Sequence, residues 1–164
     1  METIENNVRK LIINESPVDP AYYDQMSKLL DALIALRRKG VVSYKDYLDK
    51  IANLAKDATV PGGAHTYPAT LRSTAQRALY NNLRKSEVLA LAVDMAIKGS
   101  LQSDWKTNAM KTKRVRLAIR DVMIKSAAQP IAVNSVAQVG MGDDYSIEVI
   151  TDQILDLAKH QNDY

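Results

Sequence analysis

DPAYYDQMSKLLDALIALRRKG, residues 19–40, decides the fold. Asp19 offers a side-chain acceptor where a helix needs an N-cap. Pro20, with its φ already set and no N–H to leave unpaired, suits the first helical position. Met26, Leu29, Leu30, Leu33, Ile34 and Leu36 then recur at spacings that give a broad apolar stripe on a 3.6-residue helix. Arg37, Arg38 and Lys39 fall where the negative end of the helix dipole favours cations, and Gly40 takes a left-handed stop at least cost. The three cations are read first as helix capping and second as a contact surface.

The same signals extend in both directions. Ile4, Val8, Leu11 and Ile12 share a face, so residues 3–15 form a helix that Pro17 stops. Downstream, Ser43 starts a third helix, with Asp46 at the capping-box position and Tyr44, Tyr47, Leu48, Ile51, Leu54 and Ala55 inward. Val60-Pro61-Gly62-Gly63 reads as a turn. After Pro68 comes a fourth helix carrying Leu71, Ala75, Ala78, Leu79 and Leu83. Ser86 caps a fifth, with Leu89, Ala92, Val93, Ala96 and Ile97 inward and Gly99 at its end. A loop around Trp105 leads to a sixth over residues 109–127, with Val115, Ala118, Ile119 and Val122 on one face. Ser146 caps a last helix carrying Ile147, Ile150, Ile154, Leu155 and Ala158. Between these, residues 129–145 read either as a short hairpin through Ile131, Val133, Val136 and Val139 or as an irregular loop around Gly140 and Gly142. The expected fold is therefore all-α: an antiparallel bundle of about seven helices, one domain over residues 1–164. A seam at 60–66 would mark two small helical subdomains.

Composition narrows the chemistry. With 164 residues, 46 % hydrophobic and 25 % charged, the chain is long and apolar enough to bury a core without a covalent staple. There is no cysteine, which excludes a disulfide scaffold, a thiol nucleophile and a thiolate metal site. The longest apolar run, Val88 to Val93, is far short of the ~20 residues of a membrane-spanning helix. The N-terminus lacks the apolar segment of a signal peptide. A cytoplasmic chain with no membrane partner is expected.

The net charge of +3 conceals a strong asymmetry. Residues 105–125 hold seven basic side chains and one acid, whereas residues 141–164 hold six acids and one Lys. At 100° per residue, Lys113, Arg116 and Arg120 fall within about 60° of one another. With Lys106 and Lys111 they make a stripe suited to phosphate contacts, which need cations but no base-specific geometry. The alternative is an ordinary solvated face. Leu117 and Ile124 form a second apolar line, fit either for the centre of a bundle or for a docked partner. Trp105 reads either as a plug over the bundle end or as an interface anchor.

No catalytic constellation is legible. The Gly-rich phosphate loops and the dinucleotide glycine fingerprint are missing. His65 and His160 have no metal-ligand spacing. Asp104-Trp105-Lys106 matches the acid-x-lysine half of a nuclease motif, but the nearest upstream acid, Asp94, sits mid-helix rather than on a strand. Asp143-Asp144 reads as a solvated loop pair. No catalytic residue, metal ligand or cofactor is expected in the chain.

Arg77-Ala78-Leu79-Tyr80-Asn81-Asn82-Leu83 resembles the RALY(D/N)NL segment in the C-terminal helical region of type I restriction enzyme R subunits. The same region is matched in order by Ile4 to Arg9, by Pro20-Ala21-Tyr22-Tyr23 through Met26 to Leu30, and by Tyr44-Lys45-Asp46-Tyr47-Leu48. Leu91 to Ile97, Asp104-Trp105-Lys106, Val115 to Ile119 and Lys159 to Tyr164 continue the series. The likeness spans nearly the whole chain. Two features depart from it: Thr107 where glycine is expected after the Trp-Lys pair, and a longer stretch at 129–145.

The resemblance implies a non-catalytic assembly domain of a site-specific, ATP-driven deoxyribonuclease. Its partners would be the methyltransferase (M) and specificity (S) subunits, double-stranded DNA, and the nuclease and motor domains of the parent subunit. ATP and Mg²⁺ would belong to those other domains. The expected DNA contacts are Lys106, Lys111, Lys113, Arg116 and Arg120, and the expected protein interface is Trp105, Leu117 and Ile124. The rival readings are a stand-alone helical nucleic-acid-binding or regulatory protein and, third, a small-molecule enzyme built around His65 or His160.

Overall fold

The computed structural model describes residues 2–59, 67–128 and 144–164. Among them it holds seven helices and no strand: α1 (Glu2–Glu15), α2 (Pro20–Arg38), α3 (Tyr44–Thr59), α4 (Thr74–Asn82), α5 (Glu87–Ser100), α6 (Ala109–Ala128) and α7 (Asp144–Lys159). The all-α expectation holds. The chain divides into two compact units, Met1–Thr66 and Tyr67–Tyr164. The expected seam and turn at 60–66, the hairpin or loop at 129–143, and His65 and Asp143 lie outside the described residues. Among the described residues no helix is long and apolar enough to cross a membrane.

The first unit packs α1, α2 and α3 against one another. Asp19 accepts from the Tyr22 amide at 3.2 Å, so the cap that starts α2 is real, and Gly40 takes φ +68° behind its end. Arg9 reaches Asp31 at 2.6 Å and Arg37 reaches Glu5 at 2.9 Å, a pairing in which α1 and α2 run antiparallel. The Tyr22 and Tyr23 hydroxyls donate to the carbonyls of Asp57 and Ala58, tying the start of α2 to the end of α3. Val8, Ile12, Tyr22, Tyr23, Met26, Leu30, Tyr47, Ile51, Leu54 and Ala58 are the buried core. Ile4, Leu29, Leu36 and Tyr44, read as inward from periodicity, are exposed. The buried stripe is narrower than the apolar one because a three-helix unit has only two neighbours to cover each helix.

In the second unit each helix packs on the next, and α7 closes back on α4. Arg116 meets Asp152, and both Arg116 and Arg120 meet Glu148. Numbers rise on α6 as they fall on α7, so this pair is antiparallel. The short connections from α4 to α5 and from α5 to α6 make those pairs antiparallel too. The core runs through Leu71, Leu79, Leu83, Leu89, Val93, Ile97, Val115, Ile119, Met123, Ile154 and Leu157.

Two helix starts differ from expectation. Helix α4 begins at Thr74, where Ser73 and Gln76 form a reciprocal capping box that Pro68 alone does not signal. Helix α7 begins at Asp144, so Ser146, expected as its cap, lies inside the first turn. Ser86 does cap α5, accepting from the Leu89 amide.

The turn between α4 and α5 is strained. The Lys85 amide donates to the Tyr80 carbonyl at 2.8 Å, the closing bond of a Schellman-type stop. Arg84 occupies the position that usually holds glycine, at φ +54°, and Lys85 follows at φ +58°. A side chain in this region costs about 1–2 kcal/mol, part of which glycine recovers. Arg84→Gly is therefore expected to stabilise the second unit by about 1 kcal/mol, read as a higher midpoint in urea or heat.

Burial, with Glu15 and Asp19 nearby, pushes the Tyr23 phenol up to about 12. The fold thus prefers the neutral form. Its contribution is whole below the ordinary tyrosine value of 10.0 and fades as pH rises through about 12. Absorbance titration should show a late phenolate step near pH 12 that Tyr23→Phe removes.

Candidate nucleic-acid and partner surface

Helix α6 starts under a side-chain cap: Asn108 Oδ1 accepts from the amides of Met110 and Lys111 at 3.1 and 3.2 Å. Val115, Ile119 and Met123 then face the core, which fixes the outward positions by the helical period. The five expected DNA contacts meet different fates. Arg116 bridges Asp152, at 2.7 Å, and Glu148, while Arg120 holds the other oxygen of Glu148. Lys106 donates to the Gln161 carbonyl at 2.6 Å and Lys111 to the Ser103 carbonyl at 2.7 Å. Only Lys113 of the five is exposed and has no ion pair among the described residues. Arg114 beside it, not singled out from the sequence, shares both properties.

The two arginines are committed because α7 brings the acidic tail alongside them. Asp152, then Glu148, hold the Arg116 proton more tightly than usual. Arg120, then Arg116, hold the Glu148 carboxyl below the ordinary carboxylate range. The sequence showed a basic helix and an acidic one but not that they pair.

The expected protein-contact residues also separate. Trp105 is 4 % exposed and belongs to the core of the second unit, the plug rather than the anchor. The Lys106 ammonium lies 5.9 Å from its ring centroid. Ile124 is half-buried against the same core. Leu117 is 47 % exposed and Met110, seven residues before it on the same face, 77 %. The exposed edge of α6 therefore combines Met110, Lys113, Arg114 and Leu117. Val88 and Met95 form a comparable exposed apolar pair, seven residues apart on α5. Periodicity did not reveal it because α5 is apolar on nearly every face.

The two acids weighed for the nuclease-like half-motif lie in different surroundings. Asp94 is buried and accepts from Gln76 Nε2, Lys98 Nζ and the Tyr164 hydroxyl. Burial and the carboxylates of Asp94 and Asp163 push the Tyr164 phenol far up. Asp104 is exposed at the turn before Trp105, with φ +60°. His160 is exposed, its Nδ1 2.8 Å from the Asp156 carbonyl. Among the described residues no group of three His, Asp or Glu side chains is placed to hold a metal ion. In the first unit, a groove of about 510 Å³ between α1 and α2 is lined by Glu5, Asn6, Arg9, Asp31, Arg38 and Lys39, with both signs of charge.

No protein-family model, curated protein or solved structure matches this chain.

The α6–α7 pairs have a pH signature. A depressed carboxyl contributes stability that is present above its unfolded pKa and lost as pH falls through the folded one. Wild type should thus lose stability below the ordinary carboxylate range. Glu148→Gln should be less stable at neutral pH and show a flatter acid limb in urea titrations at fixed pH values. Added salt should narrow the difference.

Proposed function

We propose that this chain is a non-catalytic helical domain of a type I restriction enzyme R subunit. Its work is to dock on the methyltransferase and specificity subunits and to hold duplex DNA without reading sequence, beside the nuclease and motor domains of the parent subunit in the cytoplasm. The ordered resemblance along the chain supports the class. The exposed edge of α6 is the observation that carries the mechanism: Lys113 and Arg114 are exposed beside Leu117 and Met110. Two cations serve phosphates, and the apolar side chains next to them serve a protein partner.

The roles are reassigned accordingly. Phosphate contact falls to Lys113 and Arg114, because Arg116 and Arg120 are engaged with α7. Partner contact falls to Leu117 with Met110, because Trp105 is in the core. Bond cleavage and nucleotide hydrolysis are left to the other domains, which would bring ATP and Mg²⁺.

Two measurements test this. Leu117→Asp should abolish capture of the M–S core in a pull-down while leaving the helical signal intact; undiminished capture counts against the docking role. Duplex DNA binding should weaken as salt rises, with a log–log slope steeper than about −1.8, the share of two phosphate contacts. Replacing Lys113 and Arg114 by Ala should make that slope shallower by about 1.8. Cleavage of DNA or hydrolysis of nucleotide by the purified chain alone would sink the non-catalytic reading.

A further inference from the structure

We infer that the Arg84–Lys85 turn, at one end of the second unit, is a second phosphate-contact point for duplex DNA, separate from the edge of α6. The inference rests on the nucleic-acid reading above. Three observations carry it.

First, both residues sit in the left-handed region, at φ +54° and φ +58°, where glycine or asparagine is far cheaper. The turn itself does not ask for them. Its closing bonds, Lys85 amide to Tyr80 carbonyl and Ser86 amide to Leu83 carbonyl, are backbone bonds that glycine would make as well. Strain kept without local return is a mark of a functional segment.

Second, neither cation is tied to the end of α4, whose last two positions are Asn81 and Asn82: among the described residues no hydrogen bond runs from the Arg84 or Lys85 side chain to its carbonyls. Both asparagine side chains are occupied, Asn81 with the Tyr67 hydroxyl and Asn82 with the Ala78 carbonyl. The two cations instead stand one and two residues beyond the cap, in the left-handed turn.

Third, both side chains are exposed and have no ion pair among the described residues. The antiparallel order of α5 and α6 brings Lys125, also exposed, to the same end of the unit. Three exposed cations suit a repeating phosphodiester backbone better than a single small anion.

The test sets stability against binding in the full chain. Arg84→Gly/Lys85→Gly should melt at a higher temperature than wild type. It should bind a short mixed-sequence DNA duplex about ten-fold more weakly at low salt, with a log–log salt slope shallower by about 1.8. Arg84→Asn/Lys85→Asn, which keeps side chains that tolerate the turn, should lose affinity equally. Lys113→Ala/Arg114→Ala reads the α6 edge on its own. Wild-type affinity in both turn variants, with loss in the α6 variant, overturns this inference and leaves the reading of α6 standing. No duplex binding by wild type overturns both. Saturable binding of inorganic phosphate that the turn variants lose, without duplex binding, would replace DNA by a free anion and overturn the inference as stated.

Discussion

Arg116 reaches across to Glu148 and Asp152, and Arg120 takes the second oxygen of Glu148. This ladder decides which of the chain's charges are available to anything else. Surface pairs of this kind contribute about 0–1 kcal/mol each, so they do not hold the unit together. What they do is engage Arg116 and Arg120 with α7, which leaves other cations of α6 to face solvent. The mild net charge is set by composition, and the fold lays part of the basic helix against acidic side chains of α7.

The folding energy comes from elsewhere. Leu79, Val93, Ile97, Val115 and Ile119 are essentially without solvent contact, and each such side chain contributes roughly 1.5–3 kcal/mol through burial. Polar groups share that interior, Asp94, Ser100, Thr151 and Gln161. Asp94 is buried yet takes three donors, from α4, from α5 itself and from Tyr164. A buried carboxylate is tolerated only with such partners. The same segment places Asp163 against the Ala75 amide at 3.0 Å, on the open N-terminus of α4. The last residues of the sequence are thus a working part of the second unit.

Much of the fold was legible because helix signals are local. Asp19-Pro20, Ser86 and Gly40 mark boundaries by their own stereochemistry, and the structure keeps all three. The core around α4 was legible for a similar reason: Ala75, Ala78 and Leu79 within it and Leu71 and Leu83 on either side are all buried. Reading failed where burial depends on neighbours. Leu29 and Tyr44 follow the same period as Leu30 and Tyr47 but find no helix opposite them. Tyr22, Tyr23 and Met123 are buried although no pattern singled them out. Trp105 admitted two readings, and only the packing of the α5–α6 connection chose between them.

The candidate surface shows the same division more sharply. Period and composition alone place a basic stripe on α6 with an apolar line beside it, since both are properties of one helix. They cannot say which cations remain accessible, because that depends on where residues some thirty positions away along the sequence are folded. Coulomb pairing acts through space, whereas spacing along the chain acts through bonds. Helix identity, capping and class were written locally. The commitment of Arg116 and Arg120, the burial of Trp105, the exposure of Lys113, Arg114 and Leu117 and the left-handed turn at Arg84 and Lys85 arose only when the helices closed on one another.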